Sequence, residues 1–209
     1  VTAVCITRNR PEWVERAVKC FQAQTYPNKE LLVVEDGPDL SRKLCQQSGF
    51  RYLHFEGVRS IGVKRNLANE FALGSVICHW DDDDWSFPGR IAEQVGLLSG
   101  CPAVAVTGYH TMPFQDVNTG EIRVYKGEPG YSVGTSLCYR RDWWKAHPFG
   151  NLQVGEDNAF VAASKSRILT VDGMGKMVAR CHPKQTDGRP NFKLWASGTL
   201  DMIPEGARL

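Results

Sequence analysis

Over the first hundred residues, short apolar runs that break off at polar clusters take turns with stretches whose apolar positions recur every three or four residues. The runs Val1–Thr7, Glu30–Glu35, Phe50–Phe55 and Ser75–Trp80 scarcely alternate, so they predict strands covered on both faces. Between them, Pro11 opens a helix with Val14, Ala17, Val18 and Phe21 at i, i+3, i+4 and i+7. Leu40–Gln47 reads as a short helix, and Ile61–Leu73 as a longer one with Leu67, Ala68, Phe71 and Ala72 inward. From Pro88 a further helix turns Ile91, Val95 and Leu98 to one face and stops at Gly100. The order β-α-β-α-β-α-β-α predicts an α/β fold with a Rossmann-like, mostly parallel central sheet flanked by helices.

Beyond Pro102 the pattern changes. Ala103–Thr107 predicts a strand, and Tyr109–Phe114 and Glu121–Tyr125 flank Asn118-Thr119-Gly120 as a small antiparallel ribbon. Tyr131–Tyr139 predicts another strand, Asp142–Ala146 a short helix and Glu156–Lys165 a longer one. Ile168–Val171 and Lys176–Cys181 predict a last ribbon, and the polar segment Pro183–Asn191 a mobile loop.

One strand ends unlike the others, in Asp81-Asp82-Asp83-Asp84. Carboxylates crowded this closely repel one another, so a buried strand that delivers them implies a cation at that point. The alternative is a solvated acidic turn. Trp85 at the fifth loop position, where an oxygen ligand belongs, and the lack of glycine at the sixth argue against an EF-hand. In open α/β sheets ligands bind beyond the carboxyl ends of the strands. Arg8–Arg10 and Glu35-Asp36 stand at two other such ends, so the three clusters are expected to converge on one ligand.

The chain has 209 residues, 42% of them hydrophobic, enough for one well-buried domain. A net charge of +2, with both signs interspersed, argues against a nucleic-acid partner. No run reaches the roughly 20 apolar residues of a membrane span, and no signal peptide precedes the first strand, so a cytoplasmic location is expected. Seven scattered cysteines without a CxxC pair read as reduced, buried thiols in a reducing compartment. A chain that opens on Val1 rather than Met is expected to be a domain cut from a longer protein.

Five blocks in order, Thr7-Arg8-Asn9-Arg10, Val34-Glu35-Asp36-Gly37, Lys64-Arg65-Asn66, the acidic run and Gly155-Glu156-Asp157, resemble glycosyltransferase family 2 over residues 1 to 165. The resemblance implies a GT-A fold in one domain over residues 1–209. Residues 1–100 would bind a nucleotide sugar, 101–182 would face the acceptor, and 183–209 would form a mobile loop and tail. Asp81-x-Asp83 resembles the DxD signature, in which carboxylates hold Mn²⁺ or Mg²⁺ against the donor diphosphate, with Asp83 as the principal ligand. Asp81, approaching the ribose, and Asp82 would contact the donor, and His182 would complete the metal site. Thr7, Arg8, Arg10, Glu35, Asp36, Lys64 and Arg65 would bind the donor. Asp36 would accept the N3–H of uracil, which favours a UDP-sugar. Glu35 and Pro38 depart from the family's usual Asp and Ser.

Glu156-Asp157 resembles the family's ED motif, whose Asp takes the proton from an acceptor hydroxyl in inverting transfer. Each block has a plainer reading as well: an Asx turn for Asp36, an acidic helix N-terminus for Glu156-Asp157, and a structural histidine for His182. Lys184 and Arg189 would close over the diphosphate, while Tyr131, Trp143 and Trp144 would be sugar platforms on the acceptor side or core residues. The implied function is metal-dependent transfer of a sugar to a hydroxyl of a glycan acceptor, with inversion. The alternative is a nucleotide-sugar-binding module without catalysis.

Overall fold

A computed structural model describes residues 1–183 and 195–208. In chain order the elements are β1 (Thr2–Thr7), α1 (Pro11–Gln22), β2 (Glu30–Asp36), α2 (Arg42–Gln47), β3 (Arg51–Phe55), α3 (Ile61–Phe71), β4 (Val76–His79), β5 (Trp85–Ser86) and α4 (Arg90–Gly100). The second half adds β6 (Val106–Asp116), β7 (Ile122–Lys126), β8 (Cys138–Arg140), α5 (Arg141–Ala146), α6 (Glu156–Ala163), β9 (Ile168–Asp172), β10 (Met177–Cys181) and β11 (Ala196–Ser197). The sheet runs β11-β7-β6-β8-β4-β1-β2-β3. Neighbours from β4 to β3 are parallel, and β8 is antiparallel to both β4 and β6.

The parallel strands read as unbroken apolar runs because both faces are covered. Val4, Ile6, Leu32, Val34 and Ile77 pack on one side with Ala68, Phe149 and Phe160. Ala3, Cys5, Leu31, Val33 and Cys78 pack on the other with Val14, Val18, Phe21, Ile91 and Leu98. Parallel pairing points the carboxyl ends of β1, β2 and β4 in one direction. All seven cysteines are free thiols, five of them buried and Cys20 and Cys101 half-buried. Among the described residues no helix is long and apolar enough to cross a membrane.

Four expectations are corrected. In α3 the buried positions are Gly62, Lys64, Arg65, Ala68 and Asn69, while Phe71 is exposed and Leu67 half-buried. The inward face of this helix is polar because it borders the cleft described below, where ion pairs satisfy it. The segment 103–114 is not two strands, because β6 runs unbroken through Gly108. Residues 131–139 do not form one strand either: a 3₁₀ turn at Gly134–Ser136 precedes the short β8. Finally, β9 and β10 do not pair as a ribbon, since each lies parallel to β6 over a different stretch. The antiparallel ribbon of the second half is β6 with β7. Past the undescribed residues, the chain packs Ile203 and Ala207 against Ile122 and Val178 rather than trailing off. Most of the expected Pro183–Asn191 loop, with Lys184 and Arg189, lies outside the described residues.

Candidate active site

A cleft of about 1030 Å³ opens at the carboxyl ends of the parallel strands. Arg8, Arg10, Lys64, Arg65 and the four aspartates line one side, and Tyr131, Gly134, Glu156 and Asp157 line the other. Thr7, Glu35, Asp36 and His182 stand buried behind the wall, at most 3% exposed. The loop after β1 makes its turn at Asn9, whose φ of 54° is left-handed, a conformation asparagine tolerates better than most residues.

The acidic run fills the loop between β4 and β5. Arg10 pairs with Asp82 Oδ1 at 2.8 Å and Asp83 Oδ2 at 3.2 Å, and the Thr7 hydroxyl donates to Asp82 Oδ2 at 2.6 Å. Thr135 donates its hydroxyl to Asp84 Oδ2, and the Arg180 N–H donates to Asp84 Oδ1 at 3.0 Å. Asp81 faces Arg65 NH1 at 3.7 Å. Burial, reinforced by the charge of Asp83, pushes Asp82 up to about 8, although Arg10 and Thr7 pull the other way. Burial and then Asp83 and Asp81 also hold Asp84 well above the usual carboxylate range. Both carboxyls are raised chiefly by burial, and further by the neighbouring aspartates.

Behind this wall Lys64 Nζ meets Asp36 Oδ1 at 2.9 Å, and the Arg59 N–H donates to Asp36 Oδ2 at 2.8 Å. Glu35 is turned away from the cleft. Its Oε2 accepts from the Leu40 and Ser41 N–H groups at 3.1 and 2.9 Å and from the Tyr52 hydroxyl at 2.8 Å, which fixes the turn into α2.

Gly155, in the left-handed conformation at φ 82°, leads into α6, so Glu156 and Asp157 occupy its first turn, where the helix dipole favours carboxylates. Glu156 Oε1 accepts from Arg65 Nε at 3.1 Å. Burial and then Asp157 raise Glu156, against the pull of Arg65. Arg65 thus spans from the acidic run to α6. Its helix approaches so closely that a Cβ at Gly62 would overlap the Gly150 carbonyl oxygen. Tyr131 donates its hydroxyl to Asn158 Oδ1 at 2.9 Å. Of the two tryptophans, Trp144 is core, and Trp143 stacks on His147 and donates to Ser164 Oγ at 2.9 Å.

The donor chemistry suits a hard divalent ion. Asp81 Oδ1 is buried with no hydrogen-bond partner, and His182 Nε2 lies 2.9 Å from Asp83 Oδ2. Of the expected set of Asp81, Asp83 and His182, Asp83 and His182 lie together with Arg10 NH1, which sits 3.3 Å from His182 Nε2, while Asp81 turns toward Arg65. Among the described residues no three His, Cys, Asp or Glu side chains converge as a metal site. His182 is further held by stacking on Trp13, ring centroids 4.9 Å apart.

Several site residues carry no signal in the sequence. Thr135 and Arg180 reach Asp84 from segments far along the chain, and Gly134 admits Asp157 by having no side chain. Phe114, Tyr125 and Trp195 line the cleft from a hairpin and a tail, where single aromatics look like packing.

The Glycosyl transferase family 2 model matches residues 2–152. An uncharacterised glycosyltransferase of Rickettsia felis is 28% identical over 103 residues, covering 47% of this chain and 17% of the relative. Residues 1–349 of TarS from S. aureus, solved with UDP-GlcNAc, align at TM-score 0.67 and 16% identity over 88% of this chain and 59% of that one. The mannosyltransferase PcManGT from Pyrobaculum calidifontis, solved with GDP-Man and Mn²⁺, aligns at TM-score 0.66 and 17% identity over 88% and 57%. The chain therefore spans less than two thirds of these relatives. The fold is the GT-A glycosyltransferase fold. With the family model covering well over half of its length, the chain belongs to glycosyl transferase family 2.

Proposed function

We propose that this chain transfers a sugar from a nucleotide-sugar donor, a UDP-sugar, to a hydroxyl of a glycan acceptor with inversion. The observation that carries this reading is the presence of the acidic run and Asp157 on the walls of one cleft, with Arg65 spanning between them. The UDP-GlcNAc and GDP-Man bound to the two structural neighbours support a nucleotide-sugar donor.

Asp83, Asp81 and His182 would hold Mn²⁺ or Mg²⁺, which would supply positive charge beside a departing diphosphate. Arg8, Arg10, Lys64 and Arg65 add fixed positive charge on the same side, and Thr7 steadies Asp82. The choice of UDP rests on the family resemblance at Asp36, which would have to open from its bonds to Lys64 and the Arg59 N–H to accept the N3–H of uracil. Asp157 accepts the acceptor hydroxyl's proton as that oxygen bonds to the anomeric carbon, and the bond to the diphosphate breaks with its electron pair leaving on the nucleotide. Glu156, held by Arg65, fixes the first turn of α6 and with it the Asp157 carboxylate.

The rival reading, a binding module without catalysis, is favoured by the Arg10 guanidinium lodged beside Asp83 and His182. Following UDP release from a panel of UDP-sugars with Mn²⁺ separates the two. Slow hydrolysis or transfer in the wild type, reduced about 10²-fold or more in Asp157→Asn with donor affinity kept, is the expected result. Donor binding with no turnover under any acceptor establishes the module instead.

A further inference from the structure

Four successive backbone carbonyls behind the cleft accept hydrogen bonds from the elements that flank the acidic run. Gly134 O accepts from His79 Nδ1 at 2.8 Å, Thr135 O from Arg90 NH2 at 3.1 Å, Ser136 O from Gln94 Nε2 at 2.7 Å and Leu137 O from the His79 N–H at 2.8 Å. His79 ends β4, and Arg90 and Gln94 stand near the start of α4. All three side chains are buried, at most 1% exposed. The turn held in this way touches both walls of the site. Thr135 donates its hydroxyl to Asp84, and Gly134 lies so close to Asp157 that no Cβ fits between them.

Arg90 is the centre of this arrangement. Its NH2 also donates to the His79 carbonyl at 2.9 Å, its NH1 to Ser86 Oγ at 2.9 Å and its Nε to Gln94 Oε1 at 3.2 Å. His79 precedes the acidic run and Ser86 follows it, so one guanidinium reaches both ends of that loop and the turn across from it. The Trp80 ring faces the guanidinium, its centroid 5.2 Å from Cζ. Among the described residues the hydrogen-bond partners of Arg90 are all neutral oxygens, so at contact distance the planar fork supplies a fixed geometry rather than an ion pair.

We propose that Arg90 is a positioning residue for sugar transfer, whose guanidinium locks the acidic run to the Gly134–Ser136 turn and so sets the spacing between the donor-side carboxylates and Asp157. This deepens the glycosyl-transfer reading and rests on it. Arg65 links the two walls through Asp81 and Glu156, and Arg90 adds a second link through the backbone of the loop and the turn.

The test is Arg90→Lys, which keeps the charge but replaces the fork by a point donor that cannot reach all of these oxygens at once. Amide hydrogen exchange, followed by mass spectrometry without any ligand, is expected to speed up about 10-fold in residues 80–86 and 134–137 together and to stay at wild-type rates in β1 and β2. With UDP-sugar and Mn²⁺, kcat for UDP release is expected to fall about 10²-fold, as for a misplacement of about 1 Å. The donor KM is expected to stay within about 3-fold, because Asp82 and Asp83 keep Thr7 and Arg10. Gln94→Met, which loosens Arg90 Nε and frees Ser136 O without touching the guanidinium, is expected to accelerate exchange in the same two segments and to lower kcat about 10-fold. That variant decides the matter if Arg90→Lys does not fold. Wild-type exchange in either segment, acceleration that spreads equally through β1 and β2, or a loss confined to KM overturns the positioning role. A wild type that binds UDP yet turns over no UDP-sugar counts against the transfer reading instead, and the ligand-free exchange rates still decide whether Arg90 locks loop to turn.

Discussion

Gly134 and Asp157 stand against each other with no room for a side chain between them: a Cβ at residue 134 would overlap Asp157 Oδ2 and come within 2.6 Å of its Cγ and 2.8 Å of its Cβ. The whole carboxylate would have to move, and since it is half-exposed it has somewhere to go. Gly134→Ala is therefore expected to displace Asp157 while the domain stays folded. Turnover of donor is expected to fall by about 10²-fold, comparable to loss of a general base, with the urea midpoint close to wild type. A variant with full activity would show that the Asp157 carboxylate takes no part in the reaction.

The buried pair of Lys64 and Asp36 makes a second expectation. The side chains are 8% and 0% exposed, so removing one partner strands a charge away from water. Lys64→Met is expected to cost about 3–5 kcal/mol in urea unfolding, and the double variant Lys64→Met/Asp36→Asn distinctly less, because the stranded carboxylate is gone. Equal costs for the single and double variants would mean that the Arg59 N–H alone satisfies Asp36.

These two sites show what the sequence could and could not tell. The strands were legible because β1, β2 and β4 are covered on both faces and end abruptly in polar residues. That abruptness also located Arg10, Asp36 and the acidic run. The inward face of α3 was not legible, because apolar periodicity assumes an apolar core. Here Lys64 and Arg65 face inward and are satisfied by Asp36 and Glu156, residues distant in sequence. Nor was Gly134, since its role is a close approach between two segments that only the fold brings together. Glu35 shows the converse: it stands beside a candidate ligand residue, yet its carboxylate is committed to backbone N–H groups and Tyr52.

Alkaline pH gives a third expectation. Burial, helped by the charge of Glu35, pushes the Cys45 thiol up to about 12 from an ordinary value of 9.0. A thiol raised in the folded state stabilises the fold fully below about 9, and that contribution is lost as pH climbs toward about 12, because the unfolded chain ionises first. Between pH 8 and 10.5 the wild type is expected to lose about 2 kcal/mol more than Cys45→Ala does. Parallel pH profiles would mean that water reaches Cys45.

His182 decides between a metal site and an ion-pair cluster. Its Nε2 lies 2.9 Å from Asp83 Oδ2 and 3.3 Å from Arg10 NH1, and its ring is stacked on Trp13. If Asp83 is the principal ligand and His182 joins it, Asp83→Ala abolishes the Mn²⁺ dependence of UDP binding. His182→Ala then weakens Mn²⁺ by about 10- to 100-fold, in the range typical of losing a supporting partner around a metal. UDP titrations with and without Mn²⁺ read both. The informative control is Arg10→Gln, which removes the guanidinium from Asp82 and Asp83. Should that variant bind Mn²⁺ more tightly without UDP while losing UDP affinity, Arg10 competes with the ion for Asp83 and is drawn to the diphosphate once the donor is bound. Mn²⁺-independent UDP binding in the wild type, unaltered by Asp83→Ala or His182→Ala, would leave Arg10 as the charge that these carboxylates gather around.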